Sequence, residues 1–104
     1  ISARRQMSTF SFLESSAVAL SRKGMAGQLR VAALCGELSL EIVPFDVKQA
    51  QIACLAWSRF GKGRHPAGLN VGDCCSYALA RVQSLPLLCK GNDFVKTDLE
   101  LVAY

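Results

Sequence analysis

The sequence predicts an α/β domain, a mainly parallel sheet flanked by helices, and three observations carry that expectation. Apolar residues recur at helical spacing in four segments. Short β-rich apolar runs stand between and after them. The whole chain is 104 residues, enough for one core, so residues 1–104 are read as a single domain.

Composition supports the reading. The chain is 51% apolar and 19% charged, too hydrophobic for disorder. Its longest nearly uncharged stretch, Met7 to Ser21, is interrupted by Glu14 and several serines, short of the roughly 18 apolar residues of a spanning helix. "ISARRQ" before "MSTFSFLESSAVAL" has the charged-then-apolar order of a signal peptide. Glu14 inside the apolar part and the lack of a small-residue cleavage site argue against one, so a cytoplasmic protein with no membrane partner is expected.

The elements follow in order. The chain opens with "ISARRQMSTF" and goes directly to helices, so the strand that normally begins a doubly wound sheet is short or missing. "SFLESSAVAL", Ser11 through Leu20, has apolar neighbours at 10, 13, 17, 18 and 20 and ends at Gly24 after Arg22 and Lys23. A second helix runs from about Ala26 to Leu38, met at a short glycine-marked turn. "LEIVPF" is a short strand closed by proline, and Asp46 can cap the helix that follows, apolar at 47, 50, 52 to 57 and 60. Gly61 and Gly63 stop it, residues 61–72 form the long loop, and "GDCCSYALARVQ" starts a fourth helix with Asp73 near its N-terminus. Leu85 to Cys89 and "DLELVAY" supply two more strands.

The five cysteines, Cys35, Cys54, Cys74, Cys75 and Cys89, are odd in number and show no C-x-x-C spacing. Reduced core thiols are expected rather than a zinc or disulfide framework. Net charge is +4, a mild excess that suits an anionic partner, and the cations cluster: Arg4 with Arg5, Arg22 with Lys23, then Arg59, Lys62 and Arg64.

Among the acidic residues Glu14 lies on the first helix, Asp73 opens the fourth, and Asp93 and Asp98 follow a strand. In parallel α/β sheets strand ends and helix starts share the edge where ligands bind. Carboxylates meeting there need a cation, and oxygen ligands select Mg²⁺ or Mn²⁺, which can activate water against a phosphodiester. The basic loop at 61 to 65 would then bind the phosphate backbone of that substrate. A structural alternative stands beside each of these. Ser11-Phe12-Leu13-Glu14 matches the capping box S-x-x-E, and Asp73 stabilises a helix start without any function. Asp93 and Asp98 read equally as turn residues, "GKGRHP" as a solvated loop and His65 as a locally bonded loop histidine.

"FGKGRHPAGLNVGDCCSYALA", with "PLLCKGNDF" and "TDLE", resembles the PIN-domain toxins of the VapC family, ribonucleases of bacterial and archaeal toxin–antitoxin pairs. The basic glycine loop, "LN-x-GDC", the tyrosine-alanine-leucine helix and "PLL-x-KG-x-DF" occur in family order, and the likeness runs from about Met7 to Glu100. It implies a PIN-like three-layer α/β/α fold and RNA cleavage with Mg²⁺ or Mn²⁺. By position, Glu14, Asp73 and Asp93 correspond to catalytic metal ligands, and Asp98 to a further ligand or a residue behind them. Lys62, Arg64 and His65 match the basic loop and are expected to contact RNA. A VapB-type antitoxin and a homodimer are the implied partners. Two departures stand out: nothing in "ISARRQMSTF" matches the family's opening strand with its "IDTSA"-like first aspartate, and Asn92 stands where relatives commonly carry another acid. The alternative expectation is an incomplete PIN-like chain that binds antitoxin or RNA without cleaving.

Overall fold

The computed structural model describes residues 5–89, 97–99 and 101–103. It bears out the α/β class, with seven elements among the described residues, and the chain divides into two compact units, Ile1–Pro44 and Phe45–Tyr104.

In the first unit a strand β1 (Gln6–Ser8) leads into helix α1 (Thr9–Glu37), which returns to strand β2 (Glu41–Val43). The strands pair in parallel, Gln6 with Glu41 through Ser8 with Val43. The Glu41 N–H donates to the Arg5 carbonyl at 2.9 Å and Gln6 Nε2 donates to Glu41 Oε2 at 3.0 Å. Of the two expectations for the opening strand, short or missing, the structure shows the short one and corrects the other. Three residues are too few for a period-of-two pattern to register in the sequence, and the strand is fixed by pairing with β2, which lies beyond the whole of α1. β1 carries no carboxylate.

The two helices expected around Gly24 are one element broken there. Gly24 sits at φ 66°, ψ −160°, a region open essentially to glycine alone. The chain then comes back close, since a Cβ on Gly27 would lie 2.6 Å from the Ala19 carbonyl oxygen. Gly24→Ala is expected to cost about 1–3 kcal/mol of stability, read as a lowered thermal midpoint.

In the second unit α2 (Val47–Phe60) is capped by Asp46, whose side chain accepts from the Gln49 N–H at 2.9 Å, as expected from the sequence. It is followed by α3 (Val71–Gln83), β3 (Leu87–Cys89) and β4 (Leu101–Ala103), the last two paired in parallel. The core gathers Ala53, Ala56 and Phe60 from α2, Ala67 and Leu69 from the loop, and Cys74, Tyr77 and Ala78 from α3. Alanines on both helices keep side-chain bulk low, and Phe60, Leu69 and Tyr77 fill the volume. Cys35, Cys74 and Cys75 are buried free thiols as expected, whereas Cys54 is exposed. Its position within an unbroken apolar run, 52 to 57, hid which side of α2 faces solvent.

Candidate active site and its basic loop

The best-defined part of the site is the start of α3. The helix begins at Val71, one residue before the Gly72 that opens the expected stretch, so Asp73 occupies its third position and Asn70 is the cap. Asn70 Oδ1 accepts from the Asp73 N–H at 2.7 Å, and Asp73 Oδ2 accepts from the Asn70 N–H at 3.0 Å, a reciprocal capping box. The Asp73 carboxylate is thereby held half-buried at the positive end of the helix. Asn70 was missed by sequence reasoning, although "NVGD" has the cap-to-third-position spacing. Beside it, burial and then the Asp73 charge push the Cys74 thiol up to about 11, so Cys74 is a packing group and no thiolate nucleophile at neutral pH.

Immediately upstream, the loop from Gly61 to Asn70 is braced from within. Lys62 N–H donates to Leu69 O at 2.8 Å, Leu69 N–H to Phe60 O at 2.9 Å, and the Arg64 and His65 N–H groups to Gly61 O. Gly63 and Gly68 take positive φ to close the turns. His65 Nδ1 accepts the Ala67 N–H at 3.0 Å and its ring meets Phe60 edge-on at 5.1 Å. His65 thus braces the loop, while Lys62 and Arg64 are exposed at its surface.

Asp98 is held by other contacts. Tyr77 Oη donates to Asp98 Oδ1 at 2.7 Å and Arg59 Nη1 to Oδ2 at 3.2 Å. Burial alone would raise its pKa, but the Tyr77 hydrogen bond and the Arg81 and Arg59 charges hold it below its ordinary 3.8. Burial, then the bond to Asp98, pushes Tyr77 from 10.0 up to about 12. The pH consequences have opposite ends. Asp98 stabilises the fold above the ordinary carboxylate pKa and loses that contribution as pH falls through its depressed value. The Tyr77 contribution is present below pH 10.0 and is lost as pH rises toward about 12. Tyr77→Phe is expected to cost about 1.5–3 kcal/mol at neutral pH, the worth of a hydrogen bond to a charged group, and to flatten both the acid and alkaline limbs of a stability–pH curve. The pairing of Tyr77 and Arg59 with Asp98 carried no sequence signal, because that partner is 21 and 39 residues away.

Glu14 stands exposed on α1 in the first unit, with no hydrogen bond or ion pair among the described residues. The capping-box alternative for it is corrected: Ser8 is the N-cap, accepting from the Phe10 N–H at 3.1 Å, so Glu14 lies in the helix interior. It lines an open hollow with Ser15, Val18, Ala19, Arg22 and Lys23. Asp93 lies outside the described residues, and among the described residues no three His, Cys, Asp or Glu side chains gather to hold a metal. The expected donors are all carboxylates, a hard-oxygen set suited to Mg²⁺ or Mn²⁺ and unsuited to zinc. No helix among the described residues is long and apolar enough to cross a membrane.

Comparison with known proteins adds to this geometry. Residues 2–100 match the family model described as PIN domain. "Ribonuclease VapC" of Mycolicibacterium smegmatis is 49% identical over 98 residues, covering 94% of this chain and 76% of that protein. "Ribonuclease VapC30" of Mycobacterium tuberculosis is 43% identical over 99 residues, 95% of this chain and 76% of the relative. "Ribonuclease VapC36" of the same species is 42% identical over 83 residues, 80% and 60% respectively.

Proposed function

The chain belongs to the PIN-domain family, among the VapC ribonucleases, and on that premise we propose that it is the ribonuclease toxin of a toxin–antitoxin pair. It hydrolyses RNA phosphodiester bonds, and Glu14, Asp73 and Asp93 would hold the Mg²⁺ or Mn²⁺, with Asp98, bonded to Tyr77 and Arg59, as the weaker candidate. The observation that carries this reading is the junction of loop and helix: a carboxylate oriented by Asn70 at the start of α3, directly after a braced loop that exposes Lys62 and Arg64.

The divalent ion supplies positive charge against the scissile phosphate and makes water a competent nucleophile. The chain's own residues do the rest. Lys62 and Arg64 draw in the phosphodiester backbone, and their attraction weakens with salt. Asn70 keeps the Asp73 carboxylate in one orientation, so its binding geometry needs no rearrangement. Glu14, exposed on α1, would supply a second carboxylate to the ion. A VapB-type antitoxin and a second copy of the chain are the proposed protein partners. Leu13, Val18, Leu20, Met25 and Leu29 stand exposed on α1, apolar surface of the kind such partners cover.

One observation favours a second reading. β1 holds no acidic residue, so the strand entering α1 brings no further carboxylate, and the protein would bind RNA or antitoxin without cutting. Both readings meet in one experiment: RNA cleavage with Mg²⁺ and in EDTA, on the wild type and Glu14→Gln. The expected result is metal-dependent cleavage that drops at least about a hundredfold in the variant with unchanged circular dichroism, since Glu14 is exposed. RNA bound but uncut by the wild type at saturating Mg²⁺ would establish the second reading instead.

A further inference from the structure

The basic loop carries one feature that charge alone does not use. Arg64 holds its guanidinium carbon 5.7 Å from the centre of the Trp57 ring, on the last turn of α2. Trp57 is half-buried against the core, which fixes the indole, whereas Arg64 is exposed. The approach depends on Gly61: its N–H donates to the Trp57 carbonyl at 2.9 Å, and a Cβ there would collide with that same carbonyl and stand 3.1 Å from Trp57 Cδ2. Lys62, two residues away in the same loop, is exposed, and its N–H donates to the Leu69 carbonyl at 2.8 Å.

At 5.7 Å from the ring centre the guanidinium lies within cation–π range of an indole anchored by the core, and it is itself a planar cation. Its outer side is a stacking surface for a nucleobase, and unpaired bases are the ones free to stack there. Duplex RNA keeps its bases stacked on each other and offers only backbone to such a loop. We propose that Trp57 and Arg64 form a stacking site for an unpaired nucleobase of single-stranded RNA, with Lys62 on the adjoining phosphate. This rests on the ribonuclease reading and deepens it, because it names the residues that would hold one base of the RNA.

The chain has one tryptophan, so its fluorescence reports the site directly. Binding is measured in EDTA, where metal-dependent cleavage is silent, with a short single-stranded oligoadenylate, an abasic ribose-phosphate strand of equal length, and a duplex. The wild type is expected to show Trp57 fluorescence change with oligoadenylate and weaker binding to the abasic strand. Arg64→Lys keeps the charge but loses the plane. It should lose roughly ten- to a hundredfold in affinity for oligoadenylate, the worth of about one stacked base, with little change for the abasic strand. Lys62→Ala should weaken both strands alike and shallow the salt dependence. Equal losses on both strands in Arg64→Lys, or equal affinity of the wild type for both, would overturn the stacking site. So would a fluorescence response confined to an acidic peptide. Failure of the nuclease reading is seen separately, as intact RNA with Mg²⁺ present while binding persists.

Discussion

Asp73→Asn is expected to lower Mg²⁺-dependent RNA cleavage by about a thousandfold while leaving the protein folded. The size follows from removing one charge of a metal site, worth several kcal/mol, at a factor of ten per 1.36 kcal/mol. The fold survives because an amide oxygen can still accept the Asn70 N–H that Asp73 Oδ2 accepts at 3.0 Å. Asp73→Ala removes that acceptor as well and adds a stability loss of about 1 kcal/mol. Calorimetry with Mg²⁺ in parallel separates the two roles: both variants lose metal affinity, and only the alanine also lowers the unfolding midpoint. An Asp73→Asn protein that cuts RNA at the wild-type rate would reduce Asp73 to a helix cap.

Phe60→Ala is expected to have the largest effect on stability. Phe60 is 3% exposed and is the hub between loop and helices, with His65 edge-on at 5.1 Å, Tyr77 at 5.6 Å and the Arg59 guanidinium 4.8 Å from its ring centre. Truncation of such a ring costs about 3–5 kcal/mol. A chain of this size has about 5–15 kcal/mol in total, so urea unfolding should show a large fall in midpoint or no folded baseline. Phe60→Leu retains most of the volume and should cost roughly 1 kcal/mol. A midpoint unchanged in the alanine variant would mean that the loop is held by its backbone hydrogen bonds alone.

Much of this architecture was legible before any coordinates. Asp46 as a cap, the span 47–60 of α2 and the arrest at Gly61 all rest on contacts within a few residues, which is the range sequence patterns record. The break at Gly24 was visible for the same reason, since its backbone conformation needs glycine whatever surrounds it. The acidic pattern pointed to Asp73, Asp93 and Asp98, and only the family resemblance added Glu14 to the expected site. What escaped was the cap one turn earlier at Asn70, the short strand β1 and the face of α2 that leaves Cys54 exposed. β1 and the exposed face answer to partners distant in the chain, which local spacing does not encode.

The sequence by itself determined the class of fold, the cap and stop of α2 and the chemistry available: carboxylates without a zinc set, and a cationic loop before a helix start. Tertiary structure decided what each group is occupied with. It bound Asp98 to Tyr77 and Arg59, turned His65 inward onto Ala67 and Phe60, and set Arg64 upon Trp57. Helix caps and glycine turns are fixed by dihedral preferences and bonds within one turn, whereas the Asp98 contacts reach from one helix to a segment beyond another. Only the packed core fixes distances of that kind.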